Sequence, residues 1–171
     1  MIWLLLLPGL VAALLLALFI FGMCQPVSHS VSRSLRLQQK PAVVFGVLDD
    51  VEALPSWSSL IAKVERLPDI DGRPATRQKT RFGPTVIAIT LERNPPTRLV
   101  GRPEKEGGPV WGTWTYEIGP EENGCRLTLT ENGEMRNPLF RAFACLRGLD
   151  ASIRAQLTDL ARKFGEPPRI E

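Results

Sequence analysis

The sequence predicts an α+β domain behind one hydrophobic N-terminal helix. Three observations carry that expectation. Residues 1–23 contain no ionisable side chain. The middle of the chain divides into short runs of alternating character, separated by Gly, Pro and Asn turn signals, which is the pattern of antiparallel strands. The C-terminal part carries apolar residues at spacings of three and four, the stripe of an amphipathic helix.

The first 23 residues, MIWLLLLPGLVAALLLALFIFGM, are about long enough for a hydrocarbon core of ~30 Å. Pro8 and Gly9 weaken a soluble helix but are tolerated in a bilayer. A cleaved signal peptide wants a basic n-region and a shorter apolar stretch, and neither is present. A lipid-modified Cys24 wants a small residue immediately before it, where Met23 stands. The reading is therefore an uncleaved single-pass anchor. Arg33, Arg36 and Lys40 follow the span and no basic residue precedes it. The positive-inside rule then places the rest of the chain on the cytoplasmic side.

Of the 171 residues, roughly 145 remain beyond the hydrophobic head, the size of one domain with its own core. Lys and Arg number 21 against 18 Asp and Glu, a net charge of +3. That is too mild for a nucleic-acid protein, and no nucleic-acid motif accompanies it. Cys24, Cys125 and Cys145 form no Cys-x-x-Cys pair. They read as unpaired thiols packed as small apolar groups, with a Cys125–Cys145 bridge left open. No metal-ligand cluster, phosphate loop or Ser/His/Asp set is present, so neither metal nor cofactor is expected.

Residues 24–28 form a short linker, 29–166 the domain and 167–171 a tail. In the first strand, 29–38, Val31, Arg33, Leu35 and Leu37 share one face, and Ser30, Ser32, Ser34 and Arg36 the other. Pro41 opens a helix over the apolar run AVVFGVL, and a second short helix or turn covers 51–60. Five strands follow at 61–67, 75–82, 85–93, 97–104 and 110–118. Their breaks are Pro68-Asp69 to Gly72, Gly83-Pro84, Asn94-Pro95-Pro96 and Gly107-Gly108-Pro109. Asn123-Gly124 turns the chain into a seventh strand, 125–131. Asn137 and Pro138 then start one long helix. Its stripe is Leu139, Phe143, Leu146, Ile153, Leu157, Leu160 and Phe164, and Gly165 with Pro167-Pro168 stops it.

Several strings resemble the START-related superfamily, in its polyketide cyclase/dehydrase and lipid-transport branch, often labelled SRPBCC. They are Leu54-Pro55-Ser56-Trp57, Pro95-Pro96-Thr97-Arg98-Leu99-Val100, Gly112-Thr113-Trp114-Thr115-Tyr116, and Thr128 to Glu134 leading into Asn137-Pro138-Leu139-Phe140-Arg141. The resemblance covers about residues 29–165. It implies a helix-grip fold: a curved antiparallel sheet of about seven strands around a long C-terminal helix, with a hydrophobic tunnel between them. Members bind lipids, sterols, polyketides and other apolar molecules, and some catalyse cyclisation or dehydration. The anchor departs from a soluble member.

Alternation assigns an apolar wall from Ile87, Ile89 and Leu91, from Trp114, Tyr116 and Ile118, from Cys125, Leu127 and Leu129, and from Phe143, Leu146 and Ile153 on the helix. Trp57 and Phe82 join it as further aromatics. Each of these is equally at home in an ordinary core. Arg33, Glu131 and Asp150 break the apolar pattern, and a buried charge needs a partner. They are expected either at the polar end of the cavity or in water at the strand ends and the helix flank. Gly148 lies mid-helix, at a cost of roughly 1 kcal/mol against Ala, and its missing side chain leaves room for a ligand there. His29 has no evident partner and reads as surface.

The primary expectation is a membrane-anchored binder of a lipid or other apolar small molecule. The alternatives are a cyclase/dehydrase-like enzyme using Tyr116, Glu131 or Asp150 as acid or base, and a membrane-associated interaction scaffold with no functional cavity. The few acid/base residues favour binding over catalysis.

Overall fold

The computed structural model describes residues 3–104 and 111–171, with side chains from residue 8 onward. The predicted break at Gly107-Gly108-Pro109 lies outside the described residues. The N-terminal run forms one helix, α1 (Trp3–Met23). Among the fully described residues no helix is long and apolar enough to cross a membrane. Residues 1–7 of the predicted anchor fall outside that set.

The domain begins with β1 (Ser28–Leu37), then α2 (Pro41–Asp49), a 3-10 turn (Val51–Ala53) and α3 (Leu54–Trp57). A meander follows: β2 (Ile61–Ile70), β3 (Arg73–Thr80), β4 (Thr85–Asn94), β5 (Arg98–Pro103), β6 (Trp111–Glu121) and β7 (Gly124–Glu134). It ends in α4 (Pro138–Arg147), α5 (Ala151–Lys163) and β8 (Arg169–Ile170). The sheet order is β2-β3-β4-β5-β6-β7-β1-β8, with every described pairing antiparallel. β1 thus returns beside the last strand of the meander, and the architecture is the helix-grip arrangement of a large antiparallel sheet with C-terminal helices.

Alternation in β1 has the expected consequence. Leu35 and Leu37 are buried, while Ser32 and Ser34 pair their hydroxyls with Thr130 and Thr128 at 3.0 and 2.9 Å on the wet face. The core lies between β1, β6 and β7 on one side and α2 and α5 on the other. Leu127 joins Val44, Leu157 and Leu160 there, each at most 1 % exposed.

Three elements differ from the expectation. β2 runs through Pro68 and turns at Asp71-Gly72, both at positive φ (51° and 70°). Pro68 is tolerated because β2 is an edge strand, where a missing N–H breaks no ladder on the open side. The expected tail contributes β8, because Ser34 and Glu171 exchange backbone hydrogen bonds of 2.9 and 3.1 Å beside β1. The single long helix is two helices. Gly148 adopts φ +95°, a conformation that cannot continue an α-helix and that favours glycine. The stripe from Leu139 to Phe164 therefore crosses a break, and only its second half faces the sheet.

Candidate functional site

A cavity of about 200 Å³ lies between the inner face of β3–β7 and the helices α2, α3 and α5. Its apolar wall includes Leu54, Ala88, Leu99, Trp114, Leu129 and Ile153. Thr76, Gln78, Thr90, Tyr116, Glu131, Ser152 and Gln156 add polar atoms.

The strand register explains this wall. Thr76 pairs with Ala88, Thr90 with Gly101, Gly101 with Trp114, and Trp114 with Glu131. Directly paired residues share a face, so these form one inward row. Gly101 has a specific role in it. A Cβ there would stand 2.5 Å from the Trp114 indole nitrogen. The bare backbone of β5 lets the indole lie against the sheet instead of crossing the cavity.

The polar wall has two connected parts. The Tyr116 hydroxyl accepts a hydrogen bond from Gln156 Nε2 at 2.6 Å, leaving its own proton free to donate. Burial, with the Glu131 charge adding to it, holds the phenol far above its ordinary pKa, so it stays protonated. The Glu131 carboxylate accepts from Ser152 Oγ at 3.1 Å and lies 3.4 Å from His29 Nε2. His29 is not a surface residue, since its side chain is 5 % exposed. It fits because Gly133 has no Cβ, which would stand 2.6 Å from the ring.

Of the residues singled out in the sequence, Ile89, Trp114, Tyr116, Leu129 and Glu131 border the cavity. Arg33 and Asp150 do not, but pair with each other at 2.7 Å beside the start of α5. Trp57 packs against the core, and its buried indole N–H has no partner among the described residues. Ile87 stands in the opposite row from Ala88 and only half-buried, because β4 is apolar on both faces and its parity is not legible. Phe82 is 94 % exposed in the β3–β4 turn. Phe143 and Leu146 are 63 % and 67 % exposed on α4, carried away from the cavity by the break at Gly148.

Sequence reasoning missed Thr76, Gln78, Thr90, Ser152 and Gln156. Gln156 interrupts the α5 stripe between Ile153 and Leu157, a signal that was available. Thr76 and Gln78 were not recoverable, since β3 (RPATRQKT) is polar on both faces. All three cysteines are free. Cys125 is 1 % exposed, and burial, helped by Glu166 and Glu121, pushes its thiol up to about 11. Among the described residues no three His, Cys, Asp or Glu side chains converge as a metal ion would require.

Sheet, helices and cavity together define a helix-grip domain with a mostly apolar cavity under its sheet. The sequence profile described as "Polyketide cyclase / dehydrase and lipid transport" matches residues 28–165, and the chain belongs to that family. The fold is also that of several solved structures. The di-domain ARO/CYC BexL superposes with a TM-score of 0.66 at 14% identity, covering 83% of this chain and 52% of that one. This chain therefore spans about half of BexL. The Zhui aromatase/cyclase from a Streptomyces species gives 0.66 at 15% identity, covering 80% and 93%. A START superfamily protein from Mycobacterium smegmatis gives 0.52 at 17% identity, covering 74% and 92%. No curated protein sequence matches significantly.

Proposed function

We propose that this protein binds a small, mostly apolar molecule in the cavity between sheet and α5, and does so while held at a membrane by α1. The carrying observation is a cavity of about 200 Å³ whose apolar wall is broken on one side by Tyr116, Gln156, Glu131 and Ser152. That is the composition of a ligand site: apolar surface for affinity, a few fixed polar atoms for orientation. The volume lies below the ~300–1,000 Å³ of pockets for drug-sized ligands. It suits one or two rings or part of an acyl chain, with an oxygen facing the Tyr116 hydroxyl.

The tether rests on α1, whose Leu10, Leu14, Leu16 and Ile20 are each more than half exposed, a surface that water disfavours and lipid accepts. The basic residues after α1 orient the domain toward the cytoplasm. Alkaline extraction of membranes tests the tether, and the chain is expected to stay in the pellet. Native mass spectrometry of the full chain released from lipid nanodiscs tests the ligand. A bound small molecule is expected, and Thr90→Phe, which fills the cavity, should remove it. A chain that carries nothing, and takes up no apolar probe, would sink the binding reading in favour of a scaffold.

A cyclase or dehydrase activity is the second reading, favoured by a protonated Tyr116 phenol near the Glu131 carboxylate within an apolar enclosure. That pair is suited to donate and accept a proton at a bound carbonyl compound. Turnover of a poly-β-ketone that Tyr116→Phe abolishes without loss of binding would establish it.

A further inference from the structure

We propose that α4 is a membrane-surface helix that lays its apolar face into an anionic leaflet beside the end of α1. This deepens the tethered reading above and rests on it.

α4 has the sequence PLFRAFACLR, without an acidic residue. One face carries Leu139, Phe140, Phe143 and Leu146, exposed by 41, 48, 63 and 67 %. Four large apolar side chains on one short helix form a patch that needs a partner. The opposite face is fully used. Ala142 is 1 % and Arg141 6 % exposed. Arg141 Nε donates to the Gly22 carbonyl at 2.8 Å, and its Nη1 to the carbonyls of Met135 and Arg136 at 2.8 and 3.0 Å. Gly22 lies in the last turn of α1, where carbonyls lack helical partners and a cation is favoured. A Cβ on Gly22 would stand 1.8 Å from the Pro138 carbonyl oxygen, so the two backbones touch. The position of α4 relative to the end of α1 is therefore fixed by the bare backbone of Gly22 and the reach of Arg141.

That fixed geometry selects the occupant. A helix that crosses a bilayer ends at the headgroup level, and α4 is clamped to that end. α1 itself carries exposed apolar side chains up to this end, among them Phe19 and Ile20. Arg147 stands exposed at the C-terminal end of α4, while Arg136, two residues before its start, lies 3.3 Å from Glu134. A short acid-free helix with an apolar face and an exposed arginine at its end is the make-up of an interfacial element that favours anionic lipid. A second copy of the chain would cover the apolar face but bring like-charged arginines together. The docked helix also bears on the cavity, since Gly148 leads from α4 within four residues to Ser152 on the cavity wall.

The test uses the full chain in nanodiscs of phosphatidylcholine with or without phosphatidylglycerol, one copy per disc. Cys24→Ser and Cys145→Ser remove the accessible thiols. An environment-sensitive fluorophore is placed at Phe143→Cys or, as reference, at Asn123→Cys. Asn123 marks the opposite end of β1 and β7 from α1, about 30 Å away at ~3.3 Å per residue. Lipid-borne quencher should quench the label at 143 several-fold more than at 123, and aqueous iodide should do the reverse. Phosphatidylglycerol should increase the contrast. Equal access of iodide to both labels overturns the proposal, as does protection at 143 that needs two copies per disc. Alkaline extraction separates the readings. A chain that stays in the pellet with an iodide-accessible 143 keeps the tether and loses the docking. A chain that is extracted yet shows a lipid-quenched 143 does the opposite.

Discussion

One sheet and one helix pair build two different interiors. Under β1 and the Ile118 and Leu127 ends of β6 and β7 the space is filled: Leu35, Leu127, Leu157 and Leu160 are each at most 1 % exposed, and α5 packs down on them. Under β3, β4 and β5 the same sheet meets Thr76, Gln78, Thr90 and Gly101 instead, and a cavity remains. The difference comes from side-chain size and from one break in the chain. Leucines fill the far end of α5. Near its start, Gly148 turns α4 away, so Phe143 and Leu146 never reach the sheet. A packed core and a binding site need no separate domains when a helix stops covering its sheet halfway.

The comparison can be broken first on the packed side. Leu127→Ala should cost about 2–5 kcal/mol, since it leaves a void in a region that cannot collapse, read by urea melts in mild detergent. A loss under about 1 kcal/mol would mean that the packed half is no tighter than the other.

On the open side, Thr90→Phe and Ser152→Phe should abolish ligand uptake while costing less than about 1.5 kcal/mol, because the added volume meets space rather than side chains. A collapse of the fold would show the cavity to be a packing minimum. Gly148→Ala tests the break itself. The residue sits at φ +95° and ψ 124°, a conformation open essentially to glycine, where an L side chain is strained by about 1–3 kcal/mol. The variant is expected to lose stability, or to gain helix and draw Phe143 out of contact with lipid, measured by circular dichroism and by the label at 143.

A gentler probe is pH. The Cys125 thiol is raised from 9.0 to about 11 by burial in the packed half. A raised pKa means that the folded state holds the proton more tightly. The stabilisation is complete below pH 9 and is lost as pH rises through 11. Melts of wild type against Cys125→Ala should diverge below pH 9 and converge above pH 11. Smallest of all, Phe82→Ser should change stability by less than about 0.5 kcal/mol, since Phe82 is 94 % exposed.

The part of the cavity wall that was legible lies where alternation is clean. In β6 and β7 small or polar residues separate Trp114 and Tyr116, and Leu129 and Glu131, so their common face can be read from parity. β4 defeated the same reading. Its run TVIAITL is apolar on both faces and carries a register shift between Thr90 and Glu92, so the inward row of Ala88 and Thr90 emerges only from pairing. His29 was misread for a related reason. Its burial depends on the absent side chain of Gly133, which is 104 residues away in sequence and adjacent in the sheet.

By itself the sequence determined the elements: hydrophobic periodicity and turn residues act locally, and they set the strands, the caps at Asn137 and Pro138, and the hydrophobic N-terminal run. Only the tertiary structure decided which faces meet. Gly148 can end a helix or be carried within one, and the choice lies with contacts made across the molecule: Arg33 on Asp150, Arg141 on Gly22. Those contacts turn one apolar stripe into two surfaces, one facing a cavity and one facing outward.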